Sequence, residues 1–236
     1  IYVFAFILVI SCKAENSKDP QVDKWEAQAA NVEIIRDDFG VPHIYGKTDA
    51  DAVFGLLYAQ CEDDFNRVEQ NYIWATGRLA EVDGEEALYS DLRAKLFMSE
   101  EEAKANYEKS PAWLKELCNA FADGVNYYLY THPEVKPRLL TNFEPWMPMY
   151  FSEGSIGGDI ERISTKKIAA FYDSNMALPE MEELKLKKEK EVEEPQGSNG
   201  IAISGKLTQS GNALLLINPH TSFYFRGEVH VVSEEG

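Results

Sequence analysis

Pro195-Gln196-Gly197-Ser198-Asn199-Gly200-Ile201-Ala202-Ile203-Ser204 is the stretch on which the reading of the fold turns. Its small, turn-prone start passes directly into an apolar run of β character. A turn-rich segment, 205–212, separates that run from a second one at 213–217, so the two read as a hairpin. Antiparallel pairing across the turn sets Ser204 opposite Ala213 and, counting outward, Ser198 opposite Pro219. His220 is next along. Ser198 and His220 are therefore expected at the same end of one sheet.

That placement matters because a hydroxyl is a poor nucleophile until a base takes its proton. If the chain is cut before Ser198, the new α-amine is such a base. Its ordinary pKa of about 8 leaves an appreciable neutral fraction near pH 7. It belongs to the same residue as the hydroxyl, so positioning it costs little entropy. Gly197 suits the cutting step: without a side chain it lets the Ser198 hydroxyl reach the preceding carbonyl and tolerates a strained backbone. A Gly-Ser-Asn-Gly tetrapeptide is also a common turn, and by itself it carries no chemistry.

Upstream of the junction, residues 180–194 carry seven Glu and four Lys. Such a segment is an exposed helix or a disordered link and cannot be core. A solvated linker ending at Pro195, just before a small-residue junction, is where a maturation cut is expected. Farther upstream the pattern is mostly helical. Residues 32–35 and 41–45 read as two short strands around the turn Asp37-Asp38-Phe39-Gly40. Thr48 with Asp51 caps a helix whose apolar positions Ala50, Phe54, Leu57, Cys61, Phe65, Val68 and Tyr72 step by three or four, and Gly77 ends it. Ser99 with Glu102 is a second cap. Ser110-Pro111 opens a helix with Pro at its first position, with the stripe Leu114, Leu117, Phe121, Val125 and Tyr128, and His132-Pro133 stops it. Residues 142–158 read as irregular and close to a pocket or interface, and 164–172 as helical again.

The start of the chain is an apolar run, residues 1–10, too short to span a bilayer but fit for the core of a secretory signal. It leads into Val9-Ile10-Ser11-Cys12, which has the form of a bacterial lipoprotein box, and then a polar tether to Lys24. The two readings are an ordinary signal peptide and a lipid-anchored leader on Cys12; both place the protein outside the cytoplasm, in the periplasm or on the outer membrane. The ends of the sequence read as those of a piece of a longer chain. Cys61 and Cys118 sit on apolar helix faces, where a buried free thiol is commoner than a bridge; an oxidising compartment leaves pairing open. A formal net charge of -17 offers no basic footprint for nucleic acid.

Several separated motifs resemble the penicillin acylase family of N-terminal-nucleophile hydrolases. Val32-Glu33-Ile34-Ile35-Arg36-Asp37-Asp38-Phe39-Gly40-Val41-Pro42-His43-Ile44-Tyr45 is similar to its opening. Leu57-Tyr58-Ala59-Gln60-Cys61-Glu62-Asp63, Thr76-Gly77-Arg78-Leu79-Ala80-Glu81 and Phe121-Ala122-Asp123-Gly124-Val125-Asn126 follow in the family's order. The family's second chain opens with Gly-Ser-Asn and continues to Asn-Asp-Pro-His; here these are Gly197-Ser198-Asn199 and Ile217-Asn218-Pro219-His220, with Ile217 and Asn218 departing from the pattern.

The resemblance implies an α+β, four-layer αββα fold, present here as its N-terminal part, made as a single precursor (zymogen) and cut autocatalytically into two chains. On that reading 1–24 is leader and tether, 25–177 the mostly helical first chain, 178–197 a spacer to be excised, and 198–236 the start of the second chain. It implies an acyl-amide hydrolase of the penicillin, cephalosporin, acyl-homoserine-lactone or lipopeptide type. Ser198 would be the nucleophile, Gly197 and Ser198 the processing junction, and His220 the residue that supports the amine. Phe151 and Ser155 would lie against substrate. No organic cofactor is implied; one calcium ion is, with Glu161 the matching ligand. The oxyanion donors would lie beyond Gly236. Arg36 with Asp37 and Asp38 reads as a salt-bridged turn and His43 as a structural histidine, while His132 and His230 have no evident partners. The reading from another class is an exported lipoprotein that binds acylated ligands without catalysis.

Overall fold

The computed structural model describes residues 19–150, 163–172, 197–220 and 227–235. Its α+β content follows from local signals in the chain. Helix α1 (Pro20–Ala29) starts where the Asp19 side chain accepts from Gln21 N at 2.9 Å and Pro20 occupies the first turn, a position that needs no N–H. Strands β1 (Val32–Arg36) and β2 (Pro42–Gly46) pair antiparallel, with Ile34 opposite Ile44. Their turn is held by Asp37, whose Oδ1 accepts from Phe39 N and Val41 N at 2.9 and 3.0 Å. Gly40 there has φ 81°, a conformation that costs glycine nothing.

Helix α2 (Asp49–Ala75) opens on the expected capping box of Thr48 and Asp51. It closes on Gly77, φ 64°, with Gly77 N donating to Trp74 O and Arg78 N to Ile73 O; this 5→2 and 6→1 pair is the Schellman arrangement. Phe54, Leu57, Cys61, Phe65 and Tyr72 are buried as their spacing implies, together with Ala52, Ala59 and Ile73. The helix is not straight. Asp64 leaves helical geometry, and its Oδ1 accepts from Arg67 N at 3.0 Å, so it acts as a fresh N-cap in mid-helix and marks the kink.

After the short helix α3 (Ala80–Asp83) come α4 (Leu88–Lys95), α5 (Glu100–Lys109) and α6 (Ala112–Thr131). Ser99 and Glu102 form the expected capping box of α5. Pro111 stands one position earlier than expected, at the N-cap of α6, and the Ser110 hydroxyl closes the preceding helix by donating to Asn106 O at 2.7 Å. Helix α6 lies against α2 so closely that a Cβ on Gly124 would stand 2.5 Å from Phe54 O. The buried face of α6 is centred on Cys118, Ala122, Val125 and Tyr128 rather than on Leu114, Leu117 and Phe121, which are half-buried. Burial raises the Cys61 thiol to about 12 and raises that of Cys118, so both stay protonated at neutral pH; both are free.

The motif residues of these helices are supports. Asp123 accepts from Lys24 Nζ, Trp25 Nε1 and Gln21 Nε2 at 2.7, 2.8 and 3.1 Å and fastens α1 to α6. Asn126 exchanges two hydrogen bonds of 2.8 Å with the backbone of Phe143. The fully buried Glu69 accepts from the backbone N–H groups of Arg138, Leu139 and Leu140 at 2.8–2.9 Å. Asp91 accepts from Leu79 N and Ala80 N at 2.7 and 2.8 Å. Arg36 does not pair with Asp37 and Asp38, as its position in the turn suggests. Its guanidinium reaches Asp63 at 2.7 Å and Glu62 at 3.1 Å on α2, because the side chain of a strand's last residue can lie back over the neighbouring helix.

Helix α7 (Thr165–Tyr172) matches the helical stretch expected there. Strands β3 (Gly197–Ile203) and β4 (Leu214–His220) form a two-stranded sheet, and β5 (His230–Ser233) joins β2 in parallel to complete a three-stranded sheet in the order β1-β2-β5. Strand β5 thus ties the part of the chain after Ser198 to the part before it. Glu234 N donates to Gly46 O at 3.1 Å and Asp49 N to Glu235 Oε2 at 2.9 Å, and Ser233 bonds Asp49. Among the described residues, no helix is long and apolar enough to cross a membrane.

Candidate active site

The β3–β4 hairpin has the register counted from the sequence: Gly197 faces His220, Ser198 faces Pro219 and Ile203 faces Leu214. Residues directly opposite in a sheet share a face, and successive residues alternate. Gly197, Asn199, Asn218 and His220 therefore lie on one face, while Ser198 and Pro219 lie on the other. Ser198 and His220 meet at one end of the sheet, as expected, but their side chains leave opposite faces. The partner of the imidazole is Asn199, whose Nδ2 stands 3.1 Å from His220 Nε2. His220 is thus placed beside the backbone at the Gly197–Ser198 junction and not in line with the Ser198 hydroxyl. Ser198 is exposed and His220 half-buried.

A cut at this point would find a suitable substrate strand. Pro219 has no N–H to give to its facing residue, and Gly197 offers no side chain to shield its carbonyl. The hairpin is apolar on both faces: Leu215 and Ile217, on the Ser198 face, are 69% exposed, and Ile201 and Leu216, on the other, are also open. An open hollow of about 520 Å³ at the loop end, lined by Ile203, Leu207, Thr208, Gln209, Ser210 and Leu214, is at the far end of the hairpin from Ser198.

Phe151, Ser155, Glu161 and Cys12 lie outside the described residues. The segment leading to Phe151 is fixed, however. Glu69 and Asn126 hold residues 138–143, Met147–Tyr150 forms a single 3₁₀ turn, and the Trp146 and Tyr150 rings meet edge to face at 6.0 Å. Burial, helped by the carboxylates of Glu100, Glu101 and Glu102, pushes the Tyr150 phenol up to about 12, so it carries its proton at neutral pH.

The other histidines fall out differently from their sequence reading. His132 stacks on Tyr128 at 4.2 Å. His230, which has no partner evident in sequence, faces His43 across the β2–β5 pairing, with their Nδ1 atoms 3.3 Å apart. Two histidine contacts are absent from the sequence reading for different reasons. The Asn199–His220 contact was available from strand parity: 199 and 220 share a face once 198 is set opposite 219. The His43–His230 contact was not, because parallel pairing between distant strands leaves no local signal.

The chain matches the family model described as penicillin amidase over residues 31–231. It is 29% identical over 140 residues to the acyl-homoserine lactone acylase QuiP of Pseudomonas fluorescens, an alignment covering 57% of this chain and 17% of that protein. It is 30% identical over 125 residues to the penicillin acylase 2 proenzyme of a Pseudomonas species, covering 52% of this chain and 16% of that one. The chain thus spans about a sixth of the length of these curated relatives. Among solved structures, a thermostable penicillin G acylase from Alcaligenes faecalis aligns with a TM-score of 0.41 and 20% identity, covering 62% of this chain and 76% of the other.

Proposed function

Because the chain belongs to the penicillin amidase family, we propose that it acts in acyl-amide hydrolysis through Ser198, freed as an amino terminus by cleavage of the Gly197–Ser198 bond. The observation that carries this reading is the register of the hairpin. It puts the Ser198 hydroxyl on one face and the His220–Asn199 pair on the other, beside the peptide bond to be cut.

Maturation begins with attack of the Ser198 hydroxyl on the Gly197 carbonyl carbon. The peptide C–N bond breaks as the acyl group passes to oxygen, and the nitrogen takes up a proton to become the α-amine. Water then hydrolyses the ester. In turnover the same amine, in its neutral form, takes the hydroxyl proton as the oxygen adds to the substrate amide carbon. It returns that proton to the departing amine as the C–N bond breaks. Water, deprotonated by the amine, adds to the acyl-serine and releases the carboxylic acid. His220 supports the amine from its side of the strand; it is a positioning residue and leaves the hydroxyl to the amine.

The relatives named as acylases of homoserine lactones and of penicillin support small acyl-amides as the substrate class. The two chains made by the cut would stay together through the β2–β5 pairing. Export, with Cys12 as a lipid anchor, completes the proposal. Glu161 would be the residue toward a calcium ion; among the described residues there is no group of three or more His, Cys, Asp or Glu side chains placed to hold a metal.

A serine-directed sulfonyl fluoride tests the function on the full-length protein. Stoichiometric labelling at Ser198 is expected; an unreactive Ser198 in the matured protein would leave only ligand binding without catalysis. Replacing His220 with Ala is expected to lower kcat by about 10²-fold, the loss that follows when a catalytic group is left slightly misplaced. KM should hardly move, and the acidic limb of the pH–rate profile should shift with the amine. An unchanged profile would remove His220 from the mechanism.

A further inference from the structure

The pair His43–His230 is used by nothing in the mechanism, yet it is built with unusual care. The two residues are direct partners in the parallel pairing of β2 and β5, so their side chains leave the same face. Their Nδ1 atoms are 3.3 Å apart, and their rings lie 5.1 Å apart at 58°. A head-on N–H···N hydrogen bond at this separation, linear as such bonds prefer, would set the ring centres about 5.6 Å apart. The rings instead converge. Two imidazole nitrogens on one tetrahedral zinc ion, each about 2.0–2.1 Å from it, stand about 3.3–3.4 Å apart, which is the spacing seen here.

The far side of His43 is equally prepared. Its Nε2 lies 3.2 Å from Asp37 Oδ2. Asp37 is held in turn by the Phe39 and Val41 N–H groups. An anionic carboxylate at Nε2 makes that nitrogen the donor, which leaves the Nδ1 lone pair of His43 directed at His230. A carboxylate that orients an imidazole from behind is the recurrent outer support of metal-binding histidines. His230 is braced by Tyr45, whose ring meets it edge-on at 6.0 Å. His230 is exposed and His43 partly so, so water can complete the coordination.

We infer that His43 and His230 form a two-nitrogen site for a borderline divalent cation, zinc or copper, that bridges the strand before and the strand after the Ser198 junction. Imidazole nitrogens select such ions over calcium or magnesium. With only two protein ligands, the ion binds exchangeably. On the reading that the chain is cut before Ser198, the same ion would clasp the two products; that consequence alone rests on the proposed cleavage, and the binding does not.

The test uses full-length protein freed of metal by a chelator and titrated with zinc ion alone, followed by calorimetry at neutral pH and at pH 5.5. One equivalent is expected to bind at neutral pH and to be lost on acidification, because protons compete for both imidazoles. His43→Gln and His230→Gln should each weaken binding at least tenfold. Asp37→Asn, which keeps the Oδ1 acceptor of the turn, should weaken it about tenfold, as loss of an outer support does. Copper(II) electron paramagnetic resonance on the unsubstituted protein should show two coordinated nitrogens, a reading that needs no variant to fold. Zinc should slow amide exchange in His230–Ser233 equally in the cut protein and in uncut Ser198→Ala. No saturable binding, binding undiminished from the unsubstituted protein in both histidine variants, or a copper spectrum without nitrogen coordination overturns the site. Normal cutting of Ser198→Ala would instead overturn the cleavage and leave the metal result standing.

Discussion

Replacing Ser198 with Ala is expected to leave the full-length protein as a single uncut chain with no measurable amide hydrolysis. The loss is total in kind because one oxygen serves both steps. Without it the Gly197 carbonyl meets no internal nucleophile, and no α-amine is released to act as base. The hairpin itself should survive, since Ser198 is exposed at a strand end, and alanine is sterically acceptable opposite Pro219. Ser198→Cys separates the two roles. A thiol can perform the acyl shift, so that variant is expected to be cut yet turn over amides far more slowly. Electrophoresis and an amidase assay on the same samples read both outcomes. An uncut but active Ser198→Ala protein would be incompatible with the amine as base.

The largest expected effect on stability lies at Glu69. Its carboxylate is fully buried and is the acceptor for three successive backbone donors, Arg138, Leu139 and Leu140. Glu69→Ala strands those donors in the interior. At roughly 1–3 kcal/mol for each unsatisfied buried group, the loss should be at least about 3 kcal/mol. Glu69→Gln keeps the oxygen that serves Leu139 and Leu140 but turns a donor toward Arg138 N, so it should fall between. Urea unfolding, in which the midpoint moves with stability at an unchanged slope, measures the difference. The effect should reach activity as well, because the segment that Glu69 and Asn126 fasten leads to Phe151, which we propose lies against substrate. A Glu69→Ala protein as stable as the original would show that solvent reaches those donors.

What was legible in the sequence was local. The caps at Thr48 and Ser99, the turn at Asp37 and the glycine that ends α2 each depend on residues within a few positions of one another, where side-chain and backbone chemistry leave few choices. The β3–β4 register was legible for the same reason: one short loop sets every pair. The kink at Asp64 was hidden, because apolar spacing continues through it and only the aspartate's cap to Arg67 reveals the break. The partners of Arg36 are hidden in the sequence, where the adjacent Asp37 and Asp38 stand nearer than Glu62 and Asp63, which the fold brings alongside. Glu69, Asp91 and the His43–His230 pair depend on contacts between distant segments. In each, a polar group is explained only by the partner that tertiary structure supplies. At the site itself the hairpin register makes Ser198 and His220 legible as neighbours, and strand alternation within that register sends their side chains to opposite faces.

The proposed catalytic base is an amine created by cutting the chain. Intact-mass analysis of the matured full-length protein from its native host tests it most directly. The expected result is two polypeptides, the second beginning at Ser198 with an unblocked amino group. A single polypeptide continuous through Gly197 and Ser198, in a sample that hydrolyses acyl-amides, would contradict it.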